Sequence, residues 1–250
     1  MVAGRMSVTE TAKALGVNPQ RVHQRIRDGS LPAERIGNQW VIEMDDVRRL
    51  RTHSAPGRPY SPKSAWDLLA VAAACPAASE ISAPARSRAR SRLRQLLDEV
   101  PSAEPAHILM LIRRALGNRA KRALFVASPR DLPDVRGDGR IHPSGVSLPE
   151  SDIAAGDLVE GYVDREDLSG LVADYLLSPA PRAKARVILH VAPPADAHPA
   201  IRELDGIIRS SLAVIADLAE HDGVREQGVA LRRLVALRDH LEHPSGAADA

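Results

Sequence analysis

Apolar positions in the first fifty residues recur at helical spacing in short runs, each bracketed by residues that start or stop a helix. Val8, Ala12 and Leu15 follow the tetrapeptide Ser7-Val8-Thr9-Glu10. This is a capping-box sequence, in which the Ser7 hydroxyl accepts from the Glu10 amide and the Glu10 carboxylate accepts from the Ser7 amide. Gly16 stops the helix. Asn18 caps a second helix, with Pro19 in the first helical position, where its missing N–H costs nothing. Val22 and Ile26 give that helix its buried stripe, and Asp28-Gly29 and Pro32 end it. The pattern then changes to two short strands, 34–36 and 39–42, around Gly37-Asn38, a pair suited to a tight hairpin turn. Asp45 is placed to cap a third helix carrying Val47 and Leu50. Helix, turn, helix, hairpin, helix is the order of a winged helix-turn-helix.

Residues 52–62 contain Pro56, Gly57, Pro59 and Pro62 and read as a linker. A short apolar helix starts at Ser64, an arginine-rich helix covers 85–97, and another helix covers 105–116. Residues 128–150, rich in Pro, Gly and Asp, read as irregular. Further on, 157–163 reads as a strand, 165–177 as an acidic helix and 185–191 as a buried strand. A strand–helix–strand unit of this length places its strands parallel. The tail from Ile201 is helical, with a break at His221-Asp222-Gly223. The expected fold class is α+β, mostly α with small β elements. It comprises a winged helix-turn-helix (1–52), a linker (53–63), a helical arginine-rich middle region (64–150) and a mixed α/β C-terminal region (151–250).

Composition narrows the functions. Aromatics are 2% of the 250 residues, so stacking platforms for single-stranded nucleic acid are scarce. A lone cysteine, Cys75, forms no internal disulfide and no cysteine-based metal site. The longest apolar stretch, 68–75, is too short to span a bilayer, and the N-terminus lacks an apolar signal core. A cytoplasmic, nucleoid-associated protein is expected. The net charge is only +2, but it is unevenly spread. Residues 1–52 hold nine Arg/Lys against six Asp/Glu, and 82–122 hold ten against three. Residues 150–180 hold eight Asp/Glu and only Arg165 as a cation. Such asymmetry suits a basic part that meets nucleic acid.

The second helix is the candidate reader. At about 100° per residue, Gln20, Arg21, Gln24 and Arg27 point away from Val22 and Ile26, with Arg25 on the flank. Arg bonds guanine O6 and N7 together, and Gln bonds adenine N6 and N7 together. The N-terminal turns of a recognition helix meet the bases, which favours Gln20, Arg21 and Gln24. Arg25 and Arg27 suit phosphate. Arg35, Asn38 and Gln39, on or beside the hairpin tip, reach the backbone or minor groove. His23 lies nearer the buried side and reads as packed; Trp40, on the strand face of Ile42, reads as wing core.

Residues 6–50 resemble the excisionase/MerR-type winged-helix family. The resemblance is carried by the Ser-Val-Thr-Glu start, Ala14-Leu15-Gly16-Val17, Pro19, Gly29-Ser30-Leu31-Pro32, the wing and Asp45. Full MerR activators continue in a long dimerising helix, where this chain has its proline-rich linker. The remainder is similar to the C-terminal region of actinobacterial AbiEi-like, type IV antitoxins. The pieces are 58–66, the arginine-rich segment, Pro143-Ser144-Gly145-Val146-Ser147, Glu160-Gly161-Tyr162-Val163, and 213–220 with the helix after it. That resemblance implies a repressor of its own operon, paired with a nucleotidyltransferase-type toxin that it counteracts without a stable complex.

On the arginine-rich helix, Arg86, Arg90 and Arg94 share one side, and Arg88 and Arg92 another. A second contact to phosphate and a plain solvated helix fit this pattern equally. Enzyme signals are poor: there is no glycine-rich phosphate loop and no Gly-x-Ser-x-Gly elbow. Asp239, His240, Glu242 and His243 read as a charged surface rather than a metal site. The expectation is therefore a non-enzymatic, cofactor-free transcriptional repressor that binds operator duplex DNA, with a homodimer as one arrangement. An excisionase-like architectural protein and a ligand-sensing regulator are the alternatives.

Overall fold

The structure, a computed structural model, describes residues 4–27, 30–52, 59–151, 153 and 156–242. The first module is β1 (Arg5–Ser7), α1 (Val8–Leu15), α2 (Pro19–Arg27), β2 (Glu34–Ile36), β3 (Gln39–Glu43) and α3 (Met44–Thr52). Both halves of the Ser7–Glu10 capping box form. Gly16 closes α1 in the left-handed conformation, at φ 65°, which glycine takes without steric cost. The Asn18 side chain accepts from the Arg21 amide at 2.8 Å, so the cap of α2 forms as the sequence predicts. β2 and β3 pair through Arg35↔Trp40 and Ile36↔Gln39, leaving Gly37 and Asn38 as the turn.

Two local expectations fail here. β1, which the pattern did not show, adds antiparallel to the free side of β3. Asp45 is not the cap of α3; the helix already starts at Met44, two residues before a cap at Asp45 would start it, because Met44 follows straight out of β3 and donates to the Gly4 carbonyl at 2.7 Å. Asp45 instead stands in the first turn, where its charge meets the positive end of the helix dipole. The module has its own small core of Ala12, Val22, Leu31, Ile42 and Val47.

Residues 53–58, most of the expected linker, lie outside the described residues. Ser61 then caps α4 (Pro62–Ala72), accepting from the Ser64 amide, with Pro62 opening the helix. There follow α5 (Ala83–Glu99), α6 (Pro105–Leu116), β4 (Lys121–Val126), α7 (Leu132–Gly137), β5 (Ile141–Pro143), β6 (Val159–Val163) and α8 (Leu168–Asp174). The chain continues through β7 (Ser178–Pro179), β8 (Val187–Val191), α9 (Leu204–Ile208), α10 (Ser211–Ala219) and α11 (Val224–Glu242).

The strand–helix–strand unit is present: β6 and β8 are parallel, in register from Val159↔Val187 to Val163↔Val191, with α8 between them in sequence. It sits inside a five-stranded sheet of order β5-β6-β8-β4-β7, whose other pairings are antiparallel. Residues 128–150 are not irregular throughout, since they supply α7 and β5. β4 lies before residue 150 and pairs with β8 after it, so the middle and C-terminal stretches share one sheet. Gly161 is required in β6, because a Cβ there would come within 2.6 Å of Ile141 and 2.7 Å of the His142 carbonyl on β5.

Strand alternation divides the burial. Val159, Val163, Val187, Leu189 and Val191 join Phe125, Leu132, Val135 and Leu171 in one core. Tyr162 belongs to a second, larger core with α4, α5, α6, α10 and α11. The overall class is α+β, as the sequence predicts. Among the described residues no helix is long and apolar enough to cross a membrane.

Candidate nucleic-acid interface

α2 owes its orientation to one side chain. Val22 is fully buried and Ile26 half-buried, so the rest of this nine-residue helix faces outward. Gln20, Arg21, Gln24 and Arg27 are exposed. With Val17 and Asn18 they line a shallow concavity of about 450 Å³. The Arg21 guanidinium donates to Gln24 Oε1 at 2.8 Å, fixing the two side chains relative to each other before any ligand arrives. Arg25 is half-buried on the flank, and its carbonyl accepts from the Leu31 amide at 3.0 Å, which closes the helix end. His23 is exposed, not packed. The buried stripe is one residue wide at Val22 and does not reach around to it.

At the hairpin, Arg35, Asn38 and Gln39 are all exposed. Arg35 donates to Asn38 Oδ1 at 3.1 Å, and its guanidinium lies 5.9 Å from the centroid of the Trp40 ring. Trp40 is therefore not wing core. It shares a face with Ile42, but it stands at the tip of the hairpin, beyond the reach of the small helical core. Together α2 and the hairpin present Arg21, Arg27 and Arg35 with amide side chains between them. That is a donor-rich surface of the kind that meets base edges and phosphates.

The arginines of α5 divide into two groups. Arg86 is half-buried and donates to the carbonyls of Ala78 and Ser79, both at 3.2 Å. Arg92 stacks on Tyr60, 4.3 Å from the ring centroid. Arg88, Arg90 and Arg94 are exposed. The expected trio of Arg86, Arg90 and Arg94 is thus reduced by one, because Arg86 is already engaged in holding a turn. On α11, Asp239, His240 and Glu242 are exposed, and His243 lies outside the described residues. No group of three or more His, Cys, Asp or Glu among the described residues is placed to hold a metal ion.

Sequence reasoning missed a buried ionic layer between the sheet and α10. Arg119 is 1% exposed. Its guanidinium donates to Tyr162 Oη at 2.6 Å, to the Leu116 carbonyl at 2.9 Å, and to Asp217 and Glu220. Glu160 faces His190 at 3.0 Å and His221 at 2.8 Å and accepts from the Val146 amide at 3.0 Å. Tyr162 and His190 stack with centroids 4.9 Å apart. Gly145 has φ 49°, and a Cβ there would strike Glu160 at 2.0 Å, so glycine is needed for this approach. Three segments singled out in the sequence, 143–147, 160–163 and 213–220, meet in this layer.

Burial alone would raise the Glu160 carboxyl, but His221 and His190 hold it well below the usual carboxylate range. Glu220 is likewise held at about 2 by Arg119 and Arg122 against its burial. Burial pushes Asp217 up despite Arg119. Burial would lower His221, but Glu160 raises it. The hints in the sequence were Glu160 and His190, each inside an otherwise apolar strand, and Asp217 inside an otherwise apolar helix.

Residues 5–53 match the family model of a helix-turn-helix domain, which spans the whole of β1 to α3. No curated protein and no solved structure matches the chain. The N-terminal module is thus a helix-turn-helix domain, the architecture of DNA-binding proteins.

Proposed function

We propose that the chain is a sequence-specific, duplex-DNA-binding transcriptional repressor acting in the cytoplasm at the nucleoid. The observation that carries this is the exposed face of α2. Gln20, Arg21 and Gln24 stand together in its first turns, where a recognition helix meets base edges, and Arg27 follows where phosphate is reached. Arg35, Asn38 and Gln39 of the wing add backbone or minor-groove contacts. The test is a titration of fragments from the protein's own promoter region against scrambled duplex at two salt concentrations. Preference for one fragment, with affinity that falls steeply with salt, is expected. Equal, negligible binding to every fragment at low salt would overturn the reading.

The finer role is that of an autoregulating antitoxin of a type IV-like pair. Its support is the similarity of 143–147, 160–163 and 213–220 to that family, together with the acidic surplus of residues 150–180. Growth rescue from an adjacent nucleotidyltransferase-type toxin by residues 56–250 alone is the expected result. Failure of every soluble form to rescue would leave a plain repressor.

A further inference from the structure

We infer that α5 carries a second DNA-contacting surface, which holds duplex phosphates without reading sequence. The inference rests on the chain being a duplex-DNA binder, but it concerns a different element. Between residues 83 and 95 the helix has five arginines and no acidic residue. Its buried stripe of Ala85, Ala89, Leu93, Leu96 and Leu97 fixes which face is outward. Two arginines are committed to the fold: Arg86 on the Ala78 and Ser79 carbonyls, and Arg92 on the Tyr60 ring.

Arg88, Arg90 and Arg94 serve no such purpose. They are exposed, and no hydrogen bond or ion pair engages their side chains among the described residues. Other exposed arginines, such as Arg202 with Glu80 and Arg209 with Asp205, are held in ion pairs, whereas these three are grouped on one helix with none. Arg90 and Arg94 stand one turn apart, about 6 Å along the axis. Ser87 and Ser91, both exposed, lie between them and Arg88. Long cations flanking short hydroxyls form a face that a phosphate chain can approach closely, and Ser hydroxyls are themselves phosphate donors. Unpaired like charges at this spacing repel one another and gain when phosphates neutralise them. The chain already carries a DNA-reading module, so the matching polyanion is the duplex flanking the read site.

The test uses the full chain and the slope of log affinity against log salt on mixed-sequence duplex DNA. R88Q/R90Q/R94Q should lower the magnitude of that slope by up to about 2.7, at about 0.9 per phosphate contact. Between 50 and 200 mM salt, the wild type should therefore lose up to about 40-fold more affinity than the variant. Preference for the promoter fragment over scrambled DNA should be unchanged. R130Q/K184Q/R232Q removes the same charge from exposed sites elsewhere and should leave the slope near wild type. R88K/R90K/R94K should retain it. Thermal unfolding of each variant checks that the fold is intact. Wild-type binding with an unchanged slope in R88Q/R90Q/R94Q overturns this inference and leaves the reader helix standing. So does an equal slope loss in both glutamine triples, or a loss seen only on double-stranded RNA. A wild type that binds no duplex overturns the repressor reading itself.

Discussion

Arg21 and Arg27 are two exposed arginines on one helix, yet their placement assigns them different work. Arg21 sits in the first turns, tied to Gln24, where a base edge is met, and Arg27 ends the helix. Arg21→Ala should cost about 1–3 kcal/mol of discrimination between the right and wrong base pair. Arg27→Ala should weaken every duplex to a similar degree. Competition against scrambled DNA separates the two, and an unchanged specificity ratio in Arg21→Ala would show that α2 is turned differently on the groove. Arg119 poses the opposite case, a cation with no access to solvent. Arg119→Met leaves Asp217 buried with only the Tyr162 hydroxyl and His190 beside it, and removing one half of a buried ion pair typically costs about 3–5 kcal/mol. Urea unfolding checks this; a loss below about 1 kcal/mol would mean that the layer tolerates an uncharged partner.

At the scale of elements, what the sequence revealed follows the range of the interaction. The caps at Ser7 and Asn18 and the turn at Gly37-Asn38 are written within four residues, and all of them form. The parallel β6–β8 pairing was legible because two apolar runs flank a helix-length segment. β1 and β5 are three residues each, as short as β2 but without a hairpin signal like Gly37-Asn38 to mark them, and they exist because β3 and β6 offer open edges. The side chains of α2 were assigned correctly to the outside except His23, where the stripe was taken as wider than one residue. Since the α1 cap is local, its worth can be isolated. Ser7→Ala should destabilise the first module by about 1 kcal/mol. Hydrogen exchange of the α1 amides is the readout, and protection equal to wild type would show that β1 pairing alone holds the helix start.

The whole molecule has separate cores. Among the described residues, none of the first module enters the two C-terminal cores, and none beyond Val47 is in the core of the first. The chain without residues 1–55 should therefore melt cooperatively and lose promoter preference. A non-cooperative or insoluble product would show that the module supports the remainder. The ionic layer was illegible at this scale for a related reason: Arg119 and Asp217 are 98 positions apart and Glu160 and His221 are 61 apart. Only closure of the sheet against α10 brings them together.

That layer also sets how the C-terminal half responds to pH. Glu160 and Glu220 have carboxyls held below their usual 4.5, Glu220 at about 2. A depressed carboxyl contributes stability that is present above its unfolded value and is lost as pH falls toward the folded one. For Glu220 the contribution is on the order of 3 kcal/mol. Asp217, raised by its burial, works in the opposite direction and blunts the acid limb. His221 is raised above 6.5 by Glu160, so its contribution is full below 6.5 and lost as pH climbs through its folded value. Stability of the chain lacking residues 1–55 should therefore be greatest near pH 5–6. It should fall steeply below about pH 4.5 and decline gently above neutrality. His221→Gln carries no titrating proton, so it should flatten the alkaline decline; it also removes the main charge that holds Glu160 low, so the acid limb should shrink toward the share of Glu220. Urea midpoints from pH 3 to pH 9 for both proteins give the two profiles. An alkaline decline that survives intact in His221→Gln would mean that the proton lost there belongs to another group.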